Sequence, residues 1–213
     1  MDAGFWHRRW QKDELGFHEG EANGLLVEHF DALSLAQGSR VFLPLCGKTR
    51  DIAWLLARGY RVAGSELSAL AVDQLFEELG VEPDRSDLGK LTRYSAPDID
   101  IIAGDMFDLT GSMLGPVDAV YDRAALVALP EDMRGTYAAH LTAITGRAPQ
   151  FLICFEYDQA CMDGPPFSVP GAEVHHRHYD ERYAVSQVAS KDVTGGLKGK
   201  CAAVEIAWML RAD

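Results

Sequence analysis

The chain has 213 residues and 47% of them are apolar, which suits one packed core and excludes a disordered chain. Twenty Lys and Arg stand against 32 Asp and Glu, a formal charge of −12 that repels phosphate backbones and anionic headgroups, so neither nucleic acid nor a membrane surface is expected as a partner. No segment approaches the roughly 18–20 apolar residues of a membrane span, the N-terminus has no signal-like apolar run, and the four cysteines form no CxxC pair; a cytoplasmic protein with free, buried thiols is expected, most simply a monomer.

In chain order, short β-rich runs alternate with longer helical stretches. Residues 19–33 place Leu25, Leu26, His29, Phe30 and Leu33 on one helical stripe. "RVFLPL" (40–45) reads as a buried strand. "DIAWLLAR" (51–58) reads as a helix stopped by Gly59. "RVAGSE" (61–66) is the next strand, and residues 68–79 form a helix ended by Gly80. Strands follow at "DIDIIAG" (98–104) and "VDAVYD" (117–122). Residues 130–145 predict a helix opened by Pro130, with Glu131 and Asp132 in its first turn. "QFLICFEY" (150–157) is a strand, residues 171–182 a weaker helix, and "AVSQVAS" (184–190) and "AAVEIAWMLR" (202–211) the last two strands. Their connection, "KDVTGGLKGK", leaves no room for a helix. The result is a parallel α/β sheet that ends in an antiparallel hairpin.

"VFLPLCGKTR" (41–50) carries Gly-Lys-Thr, the end of a phosphate-binding loop. A P-loop needs a glycine five residues before the Gly-Lys pair. That position is Phe42, so the loop cannot curl its amides around a phosphate. G-x-G-x-x-G is absent too. The stretch still closes a buried strand and opens a helix, at the edge of the sheet where open α/β folds bind ligands. Glu66 follows Gly47 by nineteen residues, a spacing suited to a ribose-binding carboxylate. "GDMFDL" (104–109) and "VYDRAAL" (120–126) end two further strands. Each residue has a plainer reading: Glu66 as a helix-start charge, Asp105 and Asp108 as caps, Arg123 as half of a surface ion pair. Four strand ends together predict one nucleoside-shaped site.

"WHRRWQKDELGFHEG" (6–20), "RVFLPLCGKTRDIAWLLARGYRVAGSELS" (40–68), "VYDRAALVAL" (120–129) and "GPPFSVP" (164–170) together resemble the thiopurine S-methyltransferase family in its bacterial form. The resemblance runs through nearly the whole chain. It implies a Rossmann-like, seven-stranded, mostly parallel sheet with helices on both faces, in a single domain (1–213). Residues 1–20 would be a lid over the cofactor. The implied cofactor is S-adenosyl-L-methionine, with S-adenosyl-L-homocysteine as product. Trp10, Leu45, Glu66, Met106 and Arg123 are the implied cofactor contacts, and Phe17 the implied substrate contact. Trp6 reads instead as an apolar anchor of the first helix, and "DGPPFSVP" (163–170) as one wall of the acceptor pocket.

The implied reaction is direct in-line methyl transfer to the sulfur of thiopurines and related aromatic or heterocyclic thiols. A selenium or tellurium species, with a role in metalloid resistance, or another small nucleophile such as halide or thiocyanate, is the alternative acceptor. No side chain is required as a strong base, and Asp122 is the one candidate for relaying a proton. Cys46 reads as packed under the loop and Lys48 as a cation with no chemistry. "HHRH" (175–178) has no carboxylate or Cys at ligand spacing, so no metal is expected. A nicotinamide-dependent oxidoreductase and a non-catalytic nucleoside binder are the readings from other classes. The missing fingerprint counts against the first, and intact Trp10, Glu66 and Arg123 against the second.

Overall fold

The computed structural model describes residues 3–12, 20–179 and 182–212. Helix α1 spans Ala3–Gln11 and α2 spans Gly24–His29. Asn23 sets the start of α2, because its side-chain oxygen accepts the N–H groups of Leu25 and Leu26. The helix is therefore shorter than the apolar stripe predicts. A 3-10 turn, Phe30–Leu33, carries the rest of the stripe and ends at Ser34 in the left-handed region. Leu25, Leu26, Phe30 and Leu33 are buried, whereas His29 is not.

Among the described residues the sheet has nine strands: β1 (Arg40–Leu43), β2 (Arg61–Glu66), β3 (Asp84–Asp87), β4 (Thr92–Ala96), β5 (Ile99–Ala103), β6 (Ala119–Arg123), β7 (Gln150–Tyr157), β8 (Ala184–Asp192) and β9 (Ala203–Arg211). Their order is β3-β4-β5-β2-β1-β6-β7-β9-β8. The central five, β5, β2, β1, β6 and β7, are parallel. β9 lies between β7 and β8 and runs antiparallel to both. That is the expected terminal hairpin. The seven expected strands are present, and two more extend the opposite edge. β3 is exposed throughout and β4 buries only Tyr94, so neither shows an apolar run from which to read it. The Arg85 guanidinium lies over the Tyr94 ring at 4.9 Å and ties the two strands together.

Apolar side chains alternate between two cores, one on each sheet face. Val41 and Leu43 of β1, Tyr121 of β6 and Phe151 and Ile153 of β7 pack on one side. There they meet α2, α3 (Arg50–Ala57) and α4 (Ala69–Leu79) through Leu26, Ile52, Leu55, Val72 and Phe76. Phe42, Val120, Leu152 and Cys154 face the other side, against Tyr137, Ala138 and Leu141 of α6 (Glu131–Ile144). This double burial explains the continuous apolar runs, and each such side chain contributes about 1.5–3 kcal/mol. Gly59 and Gly80 stop α3 and α4 as expected, both in the left-handed region. A short helix α5 (Gly111–Leu114) precedes β6. The weak helix expected at 171–182 is one turn, α7 (Gly171–Glu173), widening into a π turn over Val174–Tyr179.

β1 pairs with β2 on one side and β6 on the other, so the chain changes direction across the sheet at β1. Open α/β sheets form their ligand crevice at such a point, beyond the C-terminal strand ends. No described helix is long and apolar enough to cross a membrane.

Candidate active site

A cavity opens at that point, with walls from the ends of β1, β2, β5 and β6, from α6, and from α1 laid across the top. Trp10, Leu45, Glu66, Met106 and Arg123 all line it. The structure thus brings together the five residues singled out for cofactor binding. Phe17 lies outside the described residues.

The β1–α3 loop forms the floor. Leu45 sits at φ +46, a left-handed conformation unusual for a side chain of its size. Its N–H donates to Ser65 Oγ at 3.3 Å, and the Cys46 N–H donates to the Ser65 carbonyl at 2.8 Å. Gly47 follows at φ +53, and a Cβ there would stand 3.2 Å from Trp10 Cζ2. The single glycine therefore serves two ends, a left-handed turn and the close approach of Trp10. Cys46 is buried, its Sγ against Gly64, and burial pushes its thiol pKa up. The Lys48 ammonium is 2.9 Å from a Glu78 carboxylate oxygen on α4, and Arg50 approaches the same carboxylate at 3.4 Å. Lys48 is held sideways in an ion pair.

Glu66 ends β2 and is only 5% exposed. One carboxylate oxygen accepts the Gly47 N–H at 2.9 Å and the other accepts the Ser68 N–H at 2.8 Å. The nineteen-residue spacing is thus a direct contact. Burial raises the Glu66 pKa, and the N–H groups of Ser68, Gly47 and Leu67 partly offset that rise. A carboxylate has about four acceptor sites, so capacity remains toward the cavity.

Asp105 caps a 3-10 turn, Met106–Asp108, by accepting the Phe107 N–H at 2.9 Å, while Asp108 pairs with Lys90 at 2.7 Å. Asp108 takes the plain role that its sequence position allowed, whereas Asp105 caps the turn and also lines the cavity. The turn buries Met106 and leaves Phe107 partly exposed at the cavity. The Met106 carbonyl accepts a hydrogen bond from His140 Nε2 at 2.9 Å, and the His140 and Phe107 rings lie 5.6 Å apart. Phe107 was legible as the aromatic beside Met106.

Arg123 ends β6, and Ala124 follows at φ +66. Asp122, one residue earlier, points to the opposite face and is fully buried. It does not itself line the cavity. Its Oδ2 accepts the Tyr137 hydroxyl at 2.6 Å and its Oδ1 the Leu126 N–H at 3.1 Å. Burial pushes the Asp122 pKa up to about 6 against the pull of these donors. Tyr137 and Met133 of α6 do line the cavity. Sequence reasoning passed over them, although their i, i+4 spacing put them on one helix face.

One expectation is corrected. Trp6 lines the cavity with Arg9 and Trp10, because these positions share one face of α1. Residues 163–170, expected to wall the acceptor pocket, are tied to the turn whose Ala128 lines the cavity. The Phe167 N–H donates to the Val127 carbonyl at 2.6 Å and the Tyr157 hydroxyl to the Pro166 carbonyl at 2.6 Å, which folds the segment over the neighbouring turn. Cys161 also departs from the buried-thiol expectation, since it is exposed. His175 packs edge-on to Trp208 at 5.3 Å; the side chains of residues 176–178 lie outside the described set.

The geometry accommodates a nucleoside carrying an amino-acid tail. A seated carboxylate suits ribose hydroxyls, apolar and aromatic walls suit a purine, and the Arg123 guanidinium suits a carboxylate. A family model described as thiopurine S-methyltransferase matches residues 1–208. A thiopurine S-methyltransferase of Xanthobacter autotrophicus is 59% identical over 211 residues, covering 99% of each chain. One of Gluconobacter oxydans is 49% identical over 207 residues, 97% of this chain and 94% of that one. Among solved structures, the fold is similar to 1,6-didemethyltoxoflavin-N1-methyltransferase of Burkholderia thailandensis, which holds S-adenosylhomocysteine (TM-score 0.67, 16% identity, 99% of this chain and 87% of that one). It is also similar to magnesium protoporphyrin IX methyltransferase of Synechocystis PCC 6803 with bound S-adenosylhomocysteine (TM-score 0.64, 13% identity, 100% of both chains). The chain belongs to the thiopurine S-methyltransferase family of S-adenosylmethionine-dependent methyltransferases.

Proposed function

We propose that this enzyme methylates the sulfur of thiopurines and related aromatic or heterocyclic thiols. The observation that carries the site is the Glu66 carboxylate, seated by Gly47 and Ser68 N–H groups in the same cavity as Trp10 and Arg123. Glu66 would accept both ribose hydroxyls, each charge-assisted bond contributing about 1.5–3 kcal/mol. Arg123 would fork onto the methionine carboxylate. Trp10 would cover the cofactor from above, with Leu45 beneath and Met106 beside the purine. Residues 1–20 serve as the lid, and Phe17 touches the acceptor.

The bound cofactor supplies an electrophilic methyl group on a sulfonium. The chain's own contribution is alignment and exclusion of water. Holding a soft nucleophile in line can be equivalent to an effective molarity on the order of 10⁵ M or more. Aryl and heterocyclic thiols ionise near neutral pH, so no side chain has to act as a strong base. All four cysteines are free, which supports the reducing cytoplasm as its compartment.

Calorimetry with S-adenosylmethionine, S-adenosylhomocysteine and NAD tests the cofactor, and binding of the sulfonium and its thioether product, without binding of NAD, is expected. Methyl transfer to 6-mercaptopurine, measured beside selenite and tellurite, tests the acceptor. A rate confined to the metalloids would replace thiols by selenium or tellurium species and assign the enzyme to metalloid resistance.

A further inference from the structure

The Asp122 carboxylate is buried at a cost the sheet does not require. An apolar residue would fill the same space, as Val120 and Leu152 do on the same face. Its donors locate its purpose. The Leu126 and Ala125 N–H groups belong to the turn that follows Ala124, and the Tyr137 hydroxyl belongs to α6. Ala124 is a non-glycine residue at φ +66, a conformation that costs on the order of 1 kcal/mol and persists only when its neighbours hold it. The 3-10 turn beyond it, Leu126–Ala128, has no side-chain cap from its own N-cap residue, Ala125. Asp122 supplies that cap from the strand. One carboxylate thus joins three pieces of the cavity wall: the β6 end with Arg123 and Ala124, the turn with Ala128, and α6 with Met133 and Tyr137.

We infer that Asp122 and Tyr137 form a positioning pair, which fixes the left-handed turn at Ala124 and so aims Arg123 at the amino-acid end of the cofactor. This rests on the cofactor reading proposed above. Asp122 acts through Arg123 and the turn, and the reacting atoms are left to align without it. The role differs from a proton relay, in which the carboxylate would take the thiol proton through Tyr137.

The two roles separate by measuring S-adenosylhomocysteine affinity, the KM for S-adenosylmethionine and kcat with 6-mercaptopurine, in wild type, Asp122→Ala, Asp122→Asn and Tyr137→Phe. Wild type must bind S-adenosylhomocysteine; if it does not, the cofactor reading fails and the pair is irrelevant to it. Given binding, Asp122→Ala leaves the turn N–H groups without their acceptor, and affinity should fall about tenfold or more. Asp122→Asn keeps an oxygen for the Leu126 N–H and should restore affinity to within a few-fold of wild type. Tyr137→Phe, which loses one bond and keeps the ring in the core, should raise the KM several-fold with kcat nearly unchanged. If Asp122→Ala does not fold, the other two variants decide. A folded Asp122→Ala or Tyr137→Phe enzyme with unaltered affinity and KM overturns the inference. So does a kcat loss of 100-fold or more in Asp122→Asn at saturating cofactor, which would make the carboxylate a proton acceptor.

Discussion

The ends of β1 and β6 solve the same problem in two ways. Each strand leaves the sheet through a non-glycine residue in the left-handed region, Leu45 at φ +46 and Ala124 at φ +66. Each turn is held by a buried carboxylate, Glu66 at 5% exposure and Asp122 at 0%. Glu66 reaches across from the neighbouring strand to the Gly47 N–H and still faces the cavity. Asp122 serves its own strand's turn and is closed off behind it. A carboxylate can bind a ligand or brace a wall, and what separates the two here is which sheet face it points to.

The largest effect expected from breaking that comparison is at Glu66. If Glu66 binds the ribose as proposed, Glu66→Ala removes the acceptor for two hydroxyls, together worth roughly 3–6 kcal/mol. Cofactor affinity should fall by at least two orders of magnitude in calorimetry. The fold should survive, because Gly47 lines the cavity, where water can reach its freed N–H, and Glu66 belongs to neither apolar core. Affinity unchanged from wild type would reduce Glu66 to a brace like Asp122.

Asp122→Asn sharpens the comparison through pH. The folded Asp122 pKa is about 6 against an ordinary 3.8, so between these values the native state holds a proton that the unfolded chain has lost. The contribution of Asp122 to stability is therefore full below about pH 4, declines as pH rises to about 6, and is absent above, a loss on the order of 3 kcal/mol. Glu66 is shifted the same way and adds to the slope. The groups coupled to Asp122, namely Tyr137, Tyr179 and Cys154, all have raised pKa values and stay neutral throughout this window. Urea titrations across pH 4–7 should show a shallower decline in Asp122→Asn. An unaltered slope would place the titration elsewhere.

Much of this was legible in the sequence, and the reasons are specific. The double-sided cores make β1 and β7 continuous apolar runs, and glycines mark the ends of α3 and α4. Glu66 could be found because its distance from Gly47 reflects a strand-to-strand contact. β3 and β4 were not legible because an exposed edge hairpin needs no apolar pattern. The fates of Asp122 and Trp6 were not legible either: one depends on which sheet face a strand end presents, the other on where a terminal helix docks. The place of the 163–170 segment shows the same limit, since it is fixed by the Phe167 N–H donating to the Val127 carbonyl, far earlier in the chain, and by the Tyr157 hydroxyl donating to the Pro166 carbonyl.

Lys48 is the smallest expected effect and the sharpest check on the loop. Gly47-Lys48-Thr49 mimics a phosphate-binding motif, yet the Lys48 ammonium is 2.9 Å from Glu78 and its side chain is only 12% exposed. Thr49 caps α3 through the Asp51 N–H at 3.3 Å, the role a helix start asks of it. Lys48→Met keeps the length of the stem and removes the charge. Glu78 then retains Arg50 at 3.4 Å, so no carboxylate is stranded. The loss should stay near 1 kcal/mol or below, as for a single ion pair close to the surface. S-adenosylhomocysteine affinity should change less than about threefold, because Lys48 lines the cavity while its ammonium is engaged by Glu78. A loss of tenfold or more would mean that Lys48 leaves Glu78 to meet the ligand, and that the resemblance to a phosphate loop is more than a coincidence of three letters.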